Sequence, residues 1–240
     1  RAHPDDAHSL LMRLVPPDSR VLELGCATGY LSGHMERALG CRVTGLEFDP
    51  ASAEIARGRA SEVYTVDLDA PNALDSARPS APYDVLFAAA VLEHLKDAPG
   101  LLGAVYPLLK ADARVIVSLP NIAHWGVRWA LLRGRFDYTD YGIMDRTHLH
   151  FYTARTGHAL LEGNGYHVEA FHIAGSGLQN ALNARARRRD RVIRTRIARR
   201  IPADLRSRLV QRLRRAPHRV VRRLHAARGQ RHRDRTPDQD

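Results

Sequence analysis

An apolar strand that runs straight into a glycine turn and then a helix restricts a chain to few architectures, and residues 21–39 form such a unit. Val21-Leu22-Glu23-Leu24 is a short apolar run that stops at Gly25. Tyr30 to Leu39 then spaces Leu31, Met35 and Leu39 along one helix face. The turn between them reads Gly25-Cys26-Ala27-Thr28-Gly29. Glycines there let the backbone bend sharply and let a ligand approach the main chain. The alternation continues with strands over Val43 to Phe48, Val63 to Val66, Tyr83 to Phe87 and Arg114 to Leu119. Helices over Pro50 to Arg57 and Gly100 to Leu109 lie between them. Each strand is apolar without period-2 polarity, the pattern of a parallel sheet covered on both faces. The expected fold is therefore α/β: a doubly wound, mostly parallel, Rossmann-like sheet.

Residues 122–150 interrupt that pattern. They are rich in aromatic and charged residues, among them Trp125, Trp129, Phe136, Tyr138 and Tyr141, and read as a cap inserted above the sheet. Alternation resumes with a strand over His148 to Tyr152, a helix over Ala154 to Gly163 and a strand over Tyr166 to Ile173. Charge then divides the chain. Residues 1–180 hold sixteen basic and twenty-one acidic side chains, whereas residues 181–240 hold twenty-one arginines and five acids. The expected organisation is one cofactor-binding domain over 1–182 and an Arg-rich tail over 183–240, helical in part and disordered from Gly229. The longest uninterrupted apolar run, Val85 to Leu92, is too short to span a bilayer. Two cysteines, Cys26 and Cys41, make no disulfide framework and read as small packing residues, which fits the cytoplasm.

The chemistry-bearing positions follow the strands. Glu47 ends the second strand, eighteen residues after Gly29, where an acid accepts both hydroxyls of a ribose. Asp67 follows the third strand, placed to read an adenine amino group. The dinucleotide fingerprint G-x-G-x-x-G is not provided by Gly25-Cys-Ala-Thr-Gly29-Tyr, which disfavours a dehydrogenase.

The ordered set ELGCATG (23–29), GLEFD (45–49), VDLD (66–69), YDVLFAAAVLEHL (83–95) and RVIVSLPN (114–121) resembles the class I S-adenosylmethionine-dependent methyltransferases. It is similar to the subgroup that includes the methionine-biosynthesis W protein and many sugar, lipid and natural-product methyltransferases. The resemblance covers residues 8–175 and implies a seven-stranded fold with S-adenosylmethionine as cofactor. Carried over by position, it implies a cofactor set of Glu23, Gly25, Cys26, Ala27, Gly29, Tyr30, Glu47, Phe48, Asp67, Leu68, Ala89, Ala90 and His94. There are departures. Ala27 stands at the usual middle glycine, and Ala90 stands where an acid often precedes V-L-E-H. Positioning of the methionine amino group then falls to the backbone and Glu23. The family's final strand has one weak counterpart, His218 to Leu224.

Glu93 and His94 follow the fourth strand, at the rim where open α/β sheets hold ligands. With His148 they are the catalytic candidates, and His94 suits a base that deprotonates an acceptor hydroxyl. The competing reading has Glu93 and His94 fixing the loop before the next helix. Methyl transfer is an in-line displacement that needs mainly proximity, so a dedicated base is dispensable. Acceptor-contacting candidates are Asn121, His124, Arg128, Tyr138, Tyr141, Asp145, Arg146 and His148. The alternative is that Trp125, Trp129 and Phe136 pack a helical cap while Asp145 and Arg146 pair locally. No metal site is expected, because His148-x-His150 has no further ligands at usable spacing.

In the tail, Ile193, Ile197 and Ile201, then Leu205, Leu209 and Leu213, step by four among arginines. Such cationic amphipathic helices fit an anionic membrane surface or dock on the acidic body. The tail has no aromatic residue to stack on a base, which argues against specific nucleic-acid reading. The expected function is methyl transfer from S-adenosylmethionine to an oxygen or nitrogen of a small-molecule or lipid-linked acceptor, such as a sugar, natural product or envelope glycolipid. The alternatives are a non-catalytic regulatory partner that keeps the fold, and an RNA methyltransferase anchored by its tail. The expected place is the cytoplasm, with peripheral contact at the inner membrane face; the oligomeric state is left open.

Overall fold

The computed structural model describes residues 7–172. Five strands form one sheet: β1 (Arg20–Leu24), β2 (Arg42–Glu47), β3 (Glu62–Thr65), β4 (Tyr83–Ala89) and β5 (Leu109–Ser118). Their order is β3-β2-β1-β4-β5, and every pairing is parallel. Helices α1 (Ala7–Met12), α2 (Tyr30–Leu39), α3 (Pro50–Arg57), α4 (Ala98–Val105), α5 (Trp125–Leu132) and α6 (Ala154–Gly163) accompany it. The chain builds outward from β1 to β3, then returns to place β4 on the other side of β1. The order reverses between β1 and β4, so their carboxyl ends frame the crevice where such sheets hold ligands.

Two cores lie on the two faces. Val21, Val43, Val85 and Phe87 pack with Met35 of α2 and Ala53 and Ala56 of α3. Leu22, Leu24, Leu46, Leu86 and Ala88 pack with Leu101, Leu102 and Val105 of α4. Strand residues alternate between the faces, so the carboxylate of Glu23 falls on the α2 side with Val21.

Local chemistry fixes the helix ends. Gly40 closes α2 in the left-handed region at φ 67°. Asp49 caps α3 by accepting the Ser52 amide at 2.9 Å, with Pro50 opening the helix. Asp97 does the same for α4 through the Gly100 amide, so that helix starts before the expected Gly100. Thr153 and Thr156 form a reciprocal capping box on α6.

Three expectations change. The strand over His148 to Tyr152 does not form. The consecutive amides of Leu149 and His150 both donate to the Glu93 carbonyl, at 2.9 and 3.0 Å, which an extended ladder cannot accommodate. Tyr152 keeps a single bridge to Asn121. Of the strand expected over Tyr166 to Ile173, the described residues show one bridge position, Ala170, and residue 173 lies outside them. There Tyr166 is buried, and its hydroxyl donates to the Leu102 carbonyl at 2.7 Å. Of the seven strands implied, five lie among the described residues. The boundary at 182, the tail helices, the candidate strand His218 to Leu224 and the stretch from Gly229 lie outside the described residues.

Candidate active site

The turn between β1 and α2 is built from three left-handed residues: Gly25 (φ 63°), Ala27 (φ 47°) and Gly29 (φ 72°). A Cβ on Gly25 would lie 2.6 Å from Val91 Cγ2, and one on Gly29 would lie 2.9 Å from the Ala56 backbone. Both glycines are therefore required by close approach as well as by φ. Ala27 accepts a left-handed conformation at a cost of about 1 kcal/mol. The amides of Gly25 and Cys26 both donate to the Leu46 carbonyl, which ties the turn to the end of β2. Cys26 itself is buried, with its Sγ against Gly45.

Glu47 at the end of β2 meets this turn. Its Oε2 accepts the Ala27 amide at 2.7 Å and its Oε1 accepts the Asp49 amide at 2.9 Å. The carboxylate is thus held at the mouth of the crevice; Phe48, next in sequence, and Tyr30, at the start of α2, are both exposed. Asp67 is exposed after β3, its Oδ1 accepting the Asp69 amide, and Leu68 is half-buried beside it. Below the turn, Glu23 is 2% exposed and accepts the Ser32 hydroxyl at 2.5 Å. Burial pushes its carboxyl up to about 8; the Ser32 hydrogen bond opposes that rise and the Glu47 charge adds to it. Ser32 was not foreseen. On the other side of the crevice, Ala89 ends β4 and Ala90 turns left-handed at φ 54°, its amide donating to Ser118 Oγ at 3.0 Å.

The rim beyond Ala90 carries the expected trio. Leu92–His94 is one 3-10 turn that buries Glu93 to 1% exposure. Neither Glu93 carboxylate oxygen has a hydrogen-bond partner among the described residues. Burial raises its carboxyl to about 7. His148, distant in sequence, is brought against His94 with ring centroids 4.7 Å apart and edge-on. His94 Nδ1 lies 3.3 Å from the Thr147 carbonyl and 3.2 Å from its hydroxyl. His148 Nδ1 lies 3.2 Å from the Ile143 carbonyl, and burial holds its pKa down.

The cap divides into two parts. Phe136, Tyr138 and Phe151 form an aromatic cluster with centroids 5.6–6.3 Å apart, and Phe151 touches His148 at 6.1 Å. Helix α5, by contrast, buries no residue: Trp125 and Trp129 are half exposed, and Arg133 lies over the Trp129 ring. The alternative of a helical cap packed by Trp125 and Trp129 does not hold for α5. Asp145 does not pair with its neighbour Arg146. It accepts the Thr147 amide and hydroxyl at 2.8 and 2.6 Å, while Arg146 reaches Asp140 at 2.6 Å. His124 caps α5 by accepting the Gly126 amide, and Asn121 accepts the Ala123 amide. Tyr141 and Arg128 point to the surface as exposed residues.

The model of a methyltransferase domain matches residues 2–170. The chain belongs to the methyltransferase-domain family. Its fold is that of the S-adenosylmethionine-dependent methyltransferases. Among curated relatives, the ubiquinone biosynthesis O-methyltransferase of Xanthomonas axonopodis pv. citri is 32% identical over 111 residues, 45% of this chain and 46% of that one. The chain therefore spans a little under half the length of the curated relatives it matches. A methyltransferase from Archaeoglobus fulgidus matches the methyltransferase-domain fold with TM-score 0.51 and 19% identity, over 79% of this chain and 89% of its own. The magnesium protoporphyrin IX methyltransferase of Synechocystis, solved with bound S-adenosylhomocysteine, matches with TM-score 0.50 and 18% identity, over 67% and 69%. At these identities the two structures bear on the fold. Among the described residues of this methyltransferase domain, no helix is long and apolar enough to cross a membrane.

Proposed function

We propose that this domain moves the methyl group of S-adenosylmethionine to a hydroxyl oxygen of an apolar or lipid-linked small molecule. The observation that carries the cofactor half is the Glu47 carboxylate, gathered by the Ala27 and Asp49 amides at the glycine turn. In this reading Glu47 accepts the ribose hydroxyls, and Asp67 and Leu68 take the adenine. The turn Gly25, Cys26, Ala27, Gly29 with Tyr30 and Phe48 encloses the nucleoside, and Ala89 and Ala90 floor the methionine portion. Glu23 lies beneath the turn as the nearest buried acid for the amino group.

The acceptor half rests on the rim. An acceptor hydroxyl held there attacks the methyl carbon in line with the departing sulfur; the carbon–oxygen bond forms as the carbon–sulfur bond breaks. In this reading the hydroxyl proton leaves to His94, the member of the Glu93–His94–His148 group that is not fully buried. Support for an apolar acceptor comes from the aromatic cluster at His148 and from exposed Trp125, Trp129 and Leu132 on α5. Support for oxygen as the methylated atom comes from the curated relatives, which are named O-methyltransferases. Titration calorimetry with S-adenosylmethionine tests the cofactor half. A saturable one-to-one isotherm is expected, and its absence in the folded protein removes the reading.

A further inference from the structure

The rim trio has a property that methyl transfer alone does not require. Glu93, His94 and His148 each bring one metal-ligating atom within 4.8 Å of the others. Two of the three residues are more than nine-tenths buried, Glu93 at 1% and His148 at 9% exposure. A carbonyl oxygen can only accept, so the contacts of His94 Nδ1 with the Thr147 carbonyl and of His148 Nδ1 with the Ile143 carbonyl place the proton on Nδ1 in both rings. Nε2 is then the lone-pair nitrogen of each neutral imidazole. Backbone carbonyls that fix this tautomer are the usual outer support of metal-bound histidine. Asp145 extends that support by holding Thr147 through two hydrogen bonds.

One ligating atom of each residue thus lies near the others, where no donor among the described residues answers the Glu93 carboxylate. A buried carboxylate without a donor is costly, and a cation at the centre of the trio removes that cost. We propose that Glu93, His94 and His148 form a binding site for one divalent cation of the zinc type. Two imidazoles and one carboxylate are the donor set of three-ligand zinc sites that keep a position open. Ligand atoms around such an ion lie roughly 3.4 Å apart, from bonds of about 2.1 Å in tetrahedral geometry. The ligating atoms, now within 4.8 Å of one another, would draw together around the ion. Hard oxygen-seeking cations such as magnesium do not match two nitrogen donors. With the trio's lone pairs committed to the ion, the bound ion would lower the pKa of an acceptor hydroxyl at its open position, in place of proton acceptance by the free trio. That use rests on the proposed methyl transfer; the existence of the site does not.

The experiment uses the full chain, stripped with chelator and then titrated separately with zinc and magnesium. Metal content after gel filtration and the shift in Tm are the readouts. One equivalent of zinc is expected, with a raised Tm, and little magnesium. The Glu93→Gln and His148→Ala variants are expected to lose affinity at least about tenfold. S-adenosylmethionine binding by each variant serves as the control for folding and as the separate test of the cofactor site. Zinc binding that is equal in wild type and both variants places the metal on other histidines and overturns the proposal. So does the absence of tight zinc, or a preference for magnesium, in a protein that still binds S-adenosylmethionine; that result leaves the methyltransferase reading intact.

Discussion

The Glu47 carboxylate accepts the Ala27 backbone amide at 2.7 Å, across the turn that joins β1 to α2. One hydrogen bond thus links the end of the second strand to the left-handed centre of the glycine turn, and fixes the acid proposed to bind the ribose. Replacing Glu47 by Ala removes both acceptor oxygens. Affinity for S-adenosylmethionine should fall at least about tenfold in calorimetry, because hydrogen bonds to a charged group contribute about 1.5–3 kcal/mol. The substitution also removes the acceptor of the Ala27 and Asp49 amides, so Tm should fall as well, and the affinity is read at a temperature where the variant is folded.

Gly29→Ala acts on the fold rather than on the ligand. The new Cβ meets the α3 backbone at Ala56, and φ 72° is strained for any side chain. A loss of about 2–4 kcal/mol is expected in denaturant unfolding. Its neighbour Gly25 meets only the movable Val91 side chain, so Gly25→Ala should cost less stability while obstructing the crevice.

Glu23 gives the ligand-free protein a pH signature. Its carboxyl is raised to about 8 by burial, from an ordinary value of 4.5, so the folded state favours the protonated form. The stabilisation from that group is complete below 4.5 and declines as pH rises toward 8. The loss runs at about 1.4 kcal/mol per pH unit within that window. Glu23→Gln keeps an acceptor for Ser32 and cannot ionise, so its stability should decline less steeply than the wild type's, with the contribution of Glu93, raised to about 7, left in both. Parallel unfolding curves for the two proteins across the window would contradict this assignment.

His94→Ala separates chemistry from cofactor capture. With the ring lost from the rim, kcat should fall on the order of 10–100-fold. The S-adenosylmethionine Kd should hold within about twofold, since the contacts of Glu47 and the glycine turn are untouched. A loss of cofactor affinity equal to the loss of rate would instead place His94 against the cofactor.

Much of this arrangement is legible in the chain because it is local. The strand, turn and helix at 20–39 follow from an apolar run, two glycines and a 3.6-residue period, and α2, α3 and α6 have the bounds their spacing predicts. The acids at 47 and 67 are found by counting from strand ends. The rim is legible only as separate residues. Glu93 and His94 sit next to the fourth strand, but His148 arrives from the far side of the cap, and no spacing rule joins them. The run His148 to Tyr152 has strand-like residues, yet its amides serve the Glu93 carbonyl. Asp145 and Arg146 look like a pair in sequence. The bridge between Thr139 and Asp145 instead turns Arg146 toward Asp140. Ser32 was invisible because nothing in the sequence says that Glu23 faces α2.

The central claim is that the crevice between β1 and β4 delivers a methyl group to an apolar acceptor at the Glu93–His94–His148 rim. Incubating the full chain with extracts and S-adenosylmethionine labelled in its methyl group, then reading the small molecules by mass spectrometry, tests it most directly. A labelled, ether-linked product in the lipid-soluble fraction is expected, and it is absent with Glu47→Ala. Cofactor binding without any labelled product, or label found only on RNA or protein, would contradict it.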